Sequence, residues 1–200
     1  CSASSSKAIG SYPGLSFVIG KKTEFEKLAV LPAKTAYLNL HKFFQFATQR
    51  SQTPNTPAVP LFFALDEALA NILIETVPGR RAKIQRTAAR LRKGMTKLGL
   101  TFLLETDDMS SVLTTVHLPS HVHIDQLRHS LREHSIIIYE GKGPLAGRIF
   151  QVGNIGELSQ LDIKRFLRAL GDALSATQRE TGLGVEQPLH LSPAPAAVPV

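Results

Sequence analysis

The residue pattern predicts an α/β chain whose clearest part is a small α+β layer in its second half. Three observations carry this. Apolar residues recur at steps of three and four in 78–98 and are spaced for burial in 124–133, the spacing of a helix with one buried stripe, and 160–174 reads as a closing helix. Short runs rich in β-branched and aromatic residues lie between them at 101–104, 111–118, 136–139 and 148–152. The resulting order of helix, two strands, helix, two strands and helix suits a mostly antiparallel sheet covered by helices.

The first half is less regular. Ser4-Ser5-Ser6-Lys7-Ala8-Ile9-Gly10-Ser11-Tyr12-Pro13-Gly14 reads as a loop of small residues closing on a Pro-Gly turn, followed by an apolar strand over 15–19. Residues 23–28 suit a short helix or turn, 36–40 a short extended piece, and 41–48 an aromatic-rich helix. Pro54, Pro57 and Pro60 exclude a regular element from 50 to 60. A helix is expected again over 61–76, with Leu65, Leu69, Ile72 and Leu73 on one side. Pro78 suits the first turn of the next helix, Ile84, Ala88, Leu91, Met95 and Leu98 form its stripe, and Gly99 suits its C-cap. Beyond Thr177, prolines mixed with alanine, glycine and serine predict a disordered tail.

Composition bounds the chemistry. At 200 residues the chain can hold one domain or two small units, and no apolar run approaches the length of a membrane span. Cys1 is the single cysteine, which denies an internal disulfide and fits a reducing, cytoplasmic compartment. The formal net charge is +7, and much of the excess sits on Arg80, Arg81, Lys83, Arg86, Arg90, Arg92, Lys93 and Lys97. These residues read as the solvated face of the 78–98 helix. Nucleic-acid binding is the weaker reading, because no aromatic platform or recognised motif accompanies them. His121 and His123 lack the spacing and companion ligands of a metal site, so no metal is expected.

Lys7 is the candidate with chemical interest. An amine among small neighbours can condense with a carbonyl, and pyridoxal phosphate held that way acts as an electron sink. Taken alone, a lysine in a serine-rich stretch is a solvated loop residue.

Three segments in order change that reading. They are Ser4 to Gly14 around Lys7; Thr53-Pro54-Asn55-Thr56-Pro57 ahead of a helix; and Ile137 to Lys142 with Phe150-Gln151-Val152-Gly153-Asn154-Ile155-Gly156-Glu157 downstream. Together they resemble the class V, fold-type I pyridoxal-phosphate aminotransferases. Within that family the resemblance is greatest to the 2-aminoethylphosphonate–pyruvate transaminases, with the alanine–glyoxylate enzymes more distant.

The resemblance implies an α/β chain forming the C-terminal part of such an enzyme. Residues 1–76 would be the end of the large cofactor-binding domain, 77–176 a small α+β domain, and 177–200 a tail. It implies that Lys7 binds pyridoxal 5'-phosphate and moves the substrate proton, with Ser6 beside the cofactor. Thr53 and Thr56 would reach the cofactor phosphate of a neighbouring subunit in a homodimer. Gln151 stands where the family has an arginine that grips the substrate's acid group, and a neutral amide cannot supply the same charge-assisted fork. The expected partners are a small amino donor and a 2-oxo acid acceptor, with neither membrane nor nucleic acid. The family's glycine-rich phosphate loop, stacking aromatic and ring-nitrogen aspartate precede the lysine, so these 200 residues alone are expected to be inactive. The alternatives are a non-catalytic homologue serving as an interaction module, and an aminotransferase of the alanine–glyoxylate type.

Overall fold

Ser2–Ser4 (β1) and Ser16–Val18 (β2) pair antiparallel, with Ser4 opposite Ser16, so the Lys7 segment is the loop of a hairpin. The computed structural model describes residues 1–181. It divides into two units, residues 1–87 with 154–158, and residues 88–153 with those from Ser159 onward.

In the first unit the hairpin is followed by helix α1 (Lys22–Lys27), α2 (Leu40–Arg50), α3 (Val59–Glu75) and the start of α4 (Val77–Lys97). Phe25 of α1 stacks on Phe44 of α2 with ring centroids 5.2 Å apart. The extended piece expected over 36–40 is instead a series of bends. Thr35 Oγ1 accepts from the Leu38 amide, and the Asn39 side chain accepts from the Lys42 amide and so caps α2. α3 begins two residues earlier than expected because Pro60 occupies its first turn, where a missing N–H costs nothing.

The leucine stripe proposed for α3 is not its buried line. Leu69 and Leu73 are exposed, and Ala68 is the helix's one buried residue. α3 ends at Thr76, whose φ of 66° is rare for a β-branched residue. The Thr76 hydroxyl then accepts from the Gly79 amide, as an N-cap does for α4.

The second unit holds the hydrophobic core. Strands β3 (Leu113–His117), β4 (Tyr139–Glu140) and β5 (Ile149–Gly153) form an antiparallel sheet in the order β3-β5-β4. Helices α5 (Ile124–Glu133) and α6 (Gln160–Thr181) complete the unit with the second half of α4. Met95, Val116, Leu131, Phe150 and Leu170 are fully buried together.

Two strand expectations are corrected here. Residues 101–104 make no strand; Phe102 forms a single bridge to Val116 before the chain turns at Thr106–Asp108. The strand expected over 136–139 is reduced to Tyr139–Glu140 because Ile136 closes α5. Ser135 turns left-handed (φ 58°) and the Ile136 amide donates to the Leu131 carbonyl. Gly99 closes α4 in the expected way, with φ 78° and the Leu100 amide on the Met95 carbonyl. The α6 backbone runs through Thr181, past the point where the tail was expected to begin, and residues 182–200 lie outside the described residues.

Candidate active site around Lys7

The Lys7 loop is fixed from below by a buried serine. Ser5 is fully buried, and its hydroxyl donates to the carbonyls of Tyr12 at 2.7 Å and Leu15 at 3.2 Å. The Ser5 amide also donates to Leu15 O, and the Ser11 amide to Ser5 O, both at 3.0 Å. The Gly10 amide donates to Lys7 O at 2.9 Å, with Gly10 at φ 80°, a conformation that suits glycine. Short polar residues therefore make a loop with its own internal hydrogen bonds, and Lys7 stands exposed on it.

Lys7 lines a cavity of about 530 Å³ that lies wholly in the first unit. Ala68, Asn71 and Glu75 of α3, Arg80 and Lys83 of α4, and the segment from Asn154 to Leu158 also line it. The Asn154 side chain is buried and donates to the Ile84 carbonyl, which anchors that segment on α4.

Three cations and two carboxylates line this space, and four of the five are committed. Arg80 Nε donates to Glu75 Oε2 at 2.7 Å, and Arg80 Nη1 donates to the carbonyls of Ala8 and Ile9 at 3.1 and 3.0 Å. Lys83 Nζ meets Glu157 at 2.5 Å and Glu75 Oε1 at 3.4 Å. The Arg80 hydrogen bond, helped by Lys83, holds the Glu75 carboxyl below its ordinary value. The hydrogen bond that the Lys83 ammonium donates to Glu157, with Glu75 adding to it, raises the Lys83 value. The Lys7 amine has no hydrogen-bond or ion-pair partner among the described residues. It is thus the cavity's uncommitted nucleophile.

That amine fits the aldehyde end of pyridoxal phosphate, which needs a primary amine not tied to a carboxylate. Arg80 and Lys83 are engaged elsewhere, so they do not form a ready phosphate cradle. Ser6 is half-buried in the loop and does not line the cavity. Thr53 and Thr56 line a different, open hollow of about 1010 Å³ with Ala47, Val59 and Phe62, and Thr53 Oγ1 donates to Asn55 O at 2.7 Å. No residue lines both spaces. Gln151 belongs to the second unit; it is half-buried at the middle of β5, opposite Thr115 and Tyr139. Arg148 immediately precedes β5 and is exposed. No group of three or more His, Cys, Asp or Glu side chains among the described residues could hold a metal ion.

Glu75, Arg80, Lys83 and Glu157 were not legible as site residues. Arg80 and Lys83 look like part of a solvated basic face, yet the Arg80 side chain is only 19% exposed. The available signal was the break at Thr76-Val77-Pro78. In an unbroken helix, residues five apart diverge around the axis, and the break lets Glu75 and Arg80 meet.

Fold and sequence agree on the class. The chain is homologous to the class V, fold-type I aminotransferases, although no family model matches it. It is 26% identical to an uncharacterized aminotransferase of Methanocaldococcus jannaschii, over 94% of this chain and 48% of that protein. It is 30% identical to the 2-aminoethylphosphonate–pyruvate transaminase of Vibrio cholerae, over 86% of this chain and 47% of that one. The solved alanine–glyoxylate aminotransferase of a Nostoc species superposes with a TM-score of 0.79 at 26% identity, covering 86% of this chain and 47% of its own. The chain thus spans about half the length of the curated relatives it matches. Among the described residues, no helix is long and apolar enough to cross a membrane.

Proposed function

We propose that the protein is a pyridoxal-phosphate-dependent aminotransferase of the 2-aminoethylphosphonate–pyruvate type, with Lys7 as its cofactor-binding and proton-carrying residue. The observation that carries the reading is the uncommitted Lys7 amine on an internally hydrogen-bonded loop beside a cavity. When bound, the cofactor would supply an electron-withdrawing ring that stabilises negative charge on the carbon bearing the substrate nitrogen. Lys7 Nζ would hold the aldehyde carbon between turnovers. Once displaced by substrate, the same amine would take the proton from that carbon and return it elsewhere. Across the full cycle the amino group leaves 2-aminoethylphosphonate and joins pyruvate, giving phosphonoacetaldehyde and alanine.

In this reading Thr53 and Thr56 serve the cofactor phosphate of a second copy, which makes the working form a homodimer. Their separation from the Lys7 cavity supports that role, as do the exposed Phe62 and Phe63 of α3. Gln151 would donate a neutral hydrogen bond to the substrate's acid group. The lone cysteine favours a cytoplasmic location.

These 200 residues alone should be inactive, so alanine formation from pyruvate with 2-aminoethylphosphonate as donor, measured on a protein that also carries the relatives' N-terminal half, tests the substrate. Turnover with a lower KM in Gln151→Arg supports the reading. Turnover with glyoxylate instead moves the protein to the alanine–glyoxylate type. Lys7-bound cofactor without turnover of any donor in that longer protein favours the interaction module, the reading that Gln151 suggests.

A further inference from the structure

Arg80 joins the loop that carries Lys7 to the two helices beside the cavity. Its Nη1 donates to the carbonyls of Ala8 and Ile9, the two residues that follow Lys7. Its Nε donates to Glu75 at the end of α3, and its own backbone lies in the first turn of α4. This is not an ordinary helix-surface ion pair. The spacing of five residues is outside the three or four that face each other on a helix, and contact depends on the break at Thr76. The pair is also mostly withdrawn from water, with side chains 19% and 24% exposed. Lys83 reinforces it by meeting Glu75 from the next turn of α4 while it holds Glu157.

We propose that Arg80 is a positioning residue for Lys7. It grips the Ala8 and Ile9 carbonyls and so fixes where the amine stands, and Glu75 sets the plane of the guanidinium. A planar fork can serve two carbonyls and a carboxylate at once, whereas a lysine ammonium on a flexible stem cannot reproduce that geometry. The inference rests on the reading of Lys7 as the cofactor lysine, since a solvated lysine would need no such restraint. Displacing a reacting group by about 1 Å costs on the order of a hundredfold in rate, which gives the restraint its value.

The test uses the protein with three substitutions, Arg80→Met, Arg80→Lys and Glu75→Gln. Hydrogen exchange of the cofactor-free protein is followed in the peptide covering residues 5–15. Losing a charge-assisted hydrogen bond should speed loop opening about tenfold or more in Arg80→Met. Arg80→Lys and Glu75→Gln should fall between it and the parent, a partial rescue. Peptides from α5 and β5 serve as the control for global unfolding and should be unchanged. With pyridoxal phosphate added, the rate of adduct formation on Lys7 should fall in the same order. Loop exchange unchanged in Arg80→Met overturns the inference, as does equal acceleration in the α5 and β5 peptides. A parent protein that forms no adduct on Lys7 overturns the functional reading instead, and the exchange result is separate from it.

Discussion

Removing the Ser5 hydroxyl should loosen the Lys7 loop without unfolding the rest of the protein. In Ser5→Ala the Leu15 carbonyl keeps its hydrogen bond from the Ser5 amide. The Tyr12 carbonyl loses its 2.7 Å donor. The bond is only part-buried, so the full penalty for an orphaned buried acceptor does not apply. What remains is the net value of one hydrogen bond, about 1 kcal/mol. Loop opening should therefore become about fivefold more frequent. Hydrogen exchange of the 5–15 peptide reads this directly, with Ser6→Ala as the comparison because that hydroxyl anchors nothing in the loop. Ser6→Ala should leave exchange unchanged. If Ser5→Ala and Ser6→Ala exchange alike, the buried serine does not fix the loop and the argument for a positioned amine fails.

Other consequences concern the second unit and its pH response. Leu170→Ala, at a fully buried position, should destabilise that unit by about 2–5 kcal/mol in chemical denaturation. At Gly141 a side-chain Cβ would collide with the Leu145 carbonyl and the Ile149 side chain, so Gly141→Ala should cost about 1–3 kcal/mol in the same assay. At the start of α6, Ser159 and Asp162 cap each other. The Ser159 hydroxyl and amide donate to Asp162 at 2.7 and 2.8 Å, which holds that carboxyl below its ordinary value. A lowered folded-state value means that this contribution is fully present above the unfolded value. It is lost as pH falls through the folded one. Ser159→Ala should lower the thermal unfolding midpoint at neutral pH, and the difference from the parent should shrink in acid titrations of thermal unfolding.

The parts of the fold legible in the sequence were those in which a stripe of large side chains fixes the outcome. Ile124, Leu127 and Leu131 marked α5, and all three are buried. Val116, Phe150 and Val152 marked strands that do form the sheet. What escaped was set by short polar contacts. β1 is Ser-Ala-Ser, with no apolar alternation to announce it, and it exists through its pairing with β2. The bends before α2 follow from the Thr35 and Asn39 side chains, which compete with extended backbone. The candidate site divides in the same way. Lys7 stood out through its neighbours, but Arg80 was hidden, because helical spacing shows which face is apolar and not which loop carbonyls approach the polar face.

The account depends most on Lys7 being the residue that takes up pyridoxal phosphate. Incubation with the cofactor, borohydride reduction and peptide mass spectrometry locate the adduct directly. The account predicts one stoichiometric adduct on Lys7, together with a visible absorbance band, both lost in Lys7→Ala. A band that survives Lys7→Ala, or an adduct spread over other lysines such as Lys83, would contradict it.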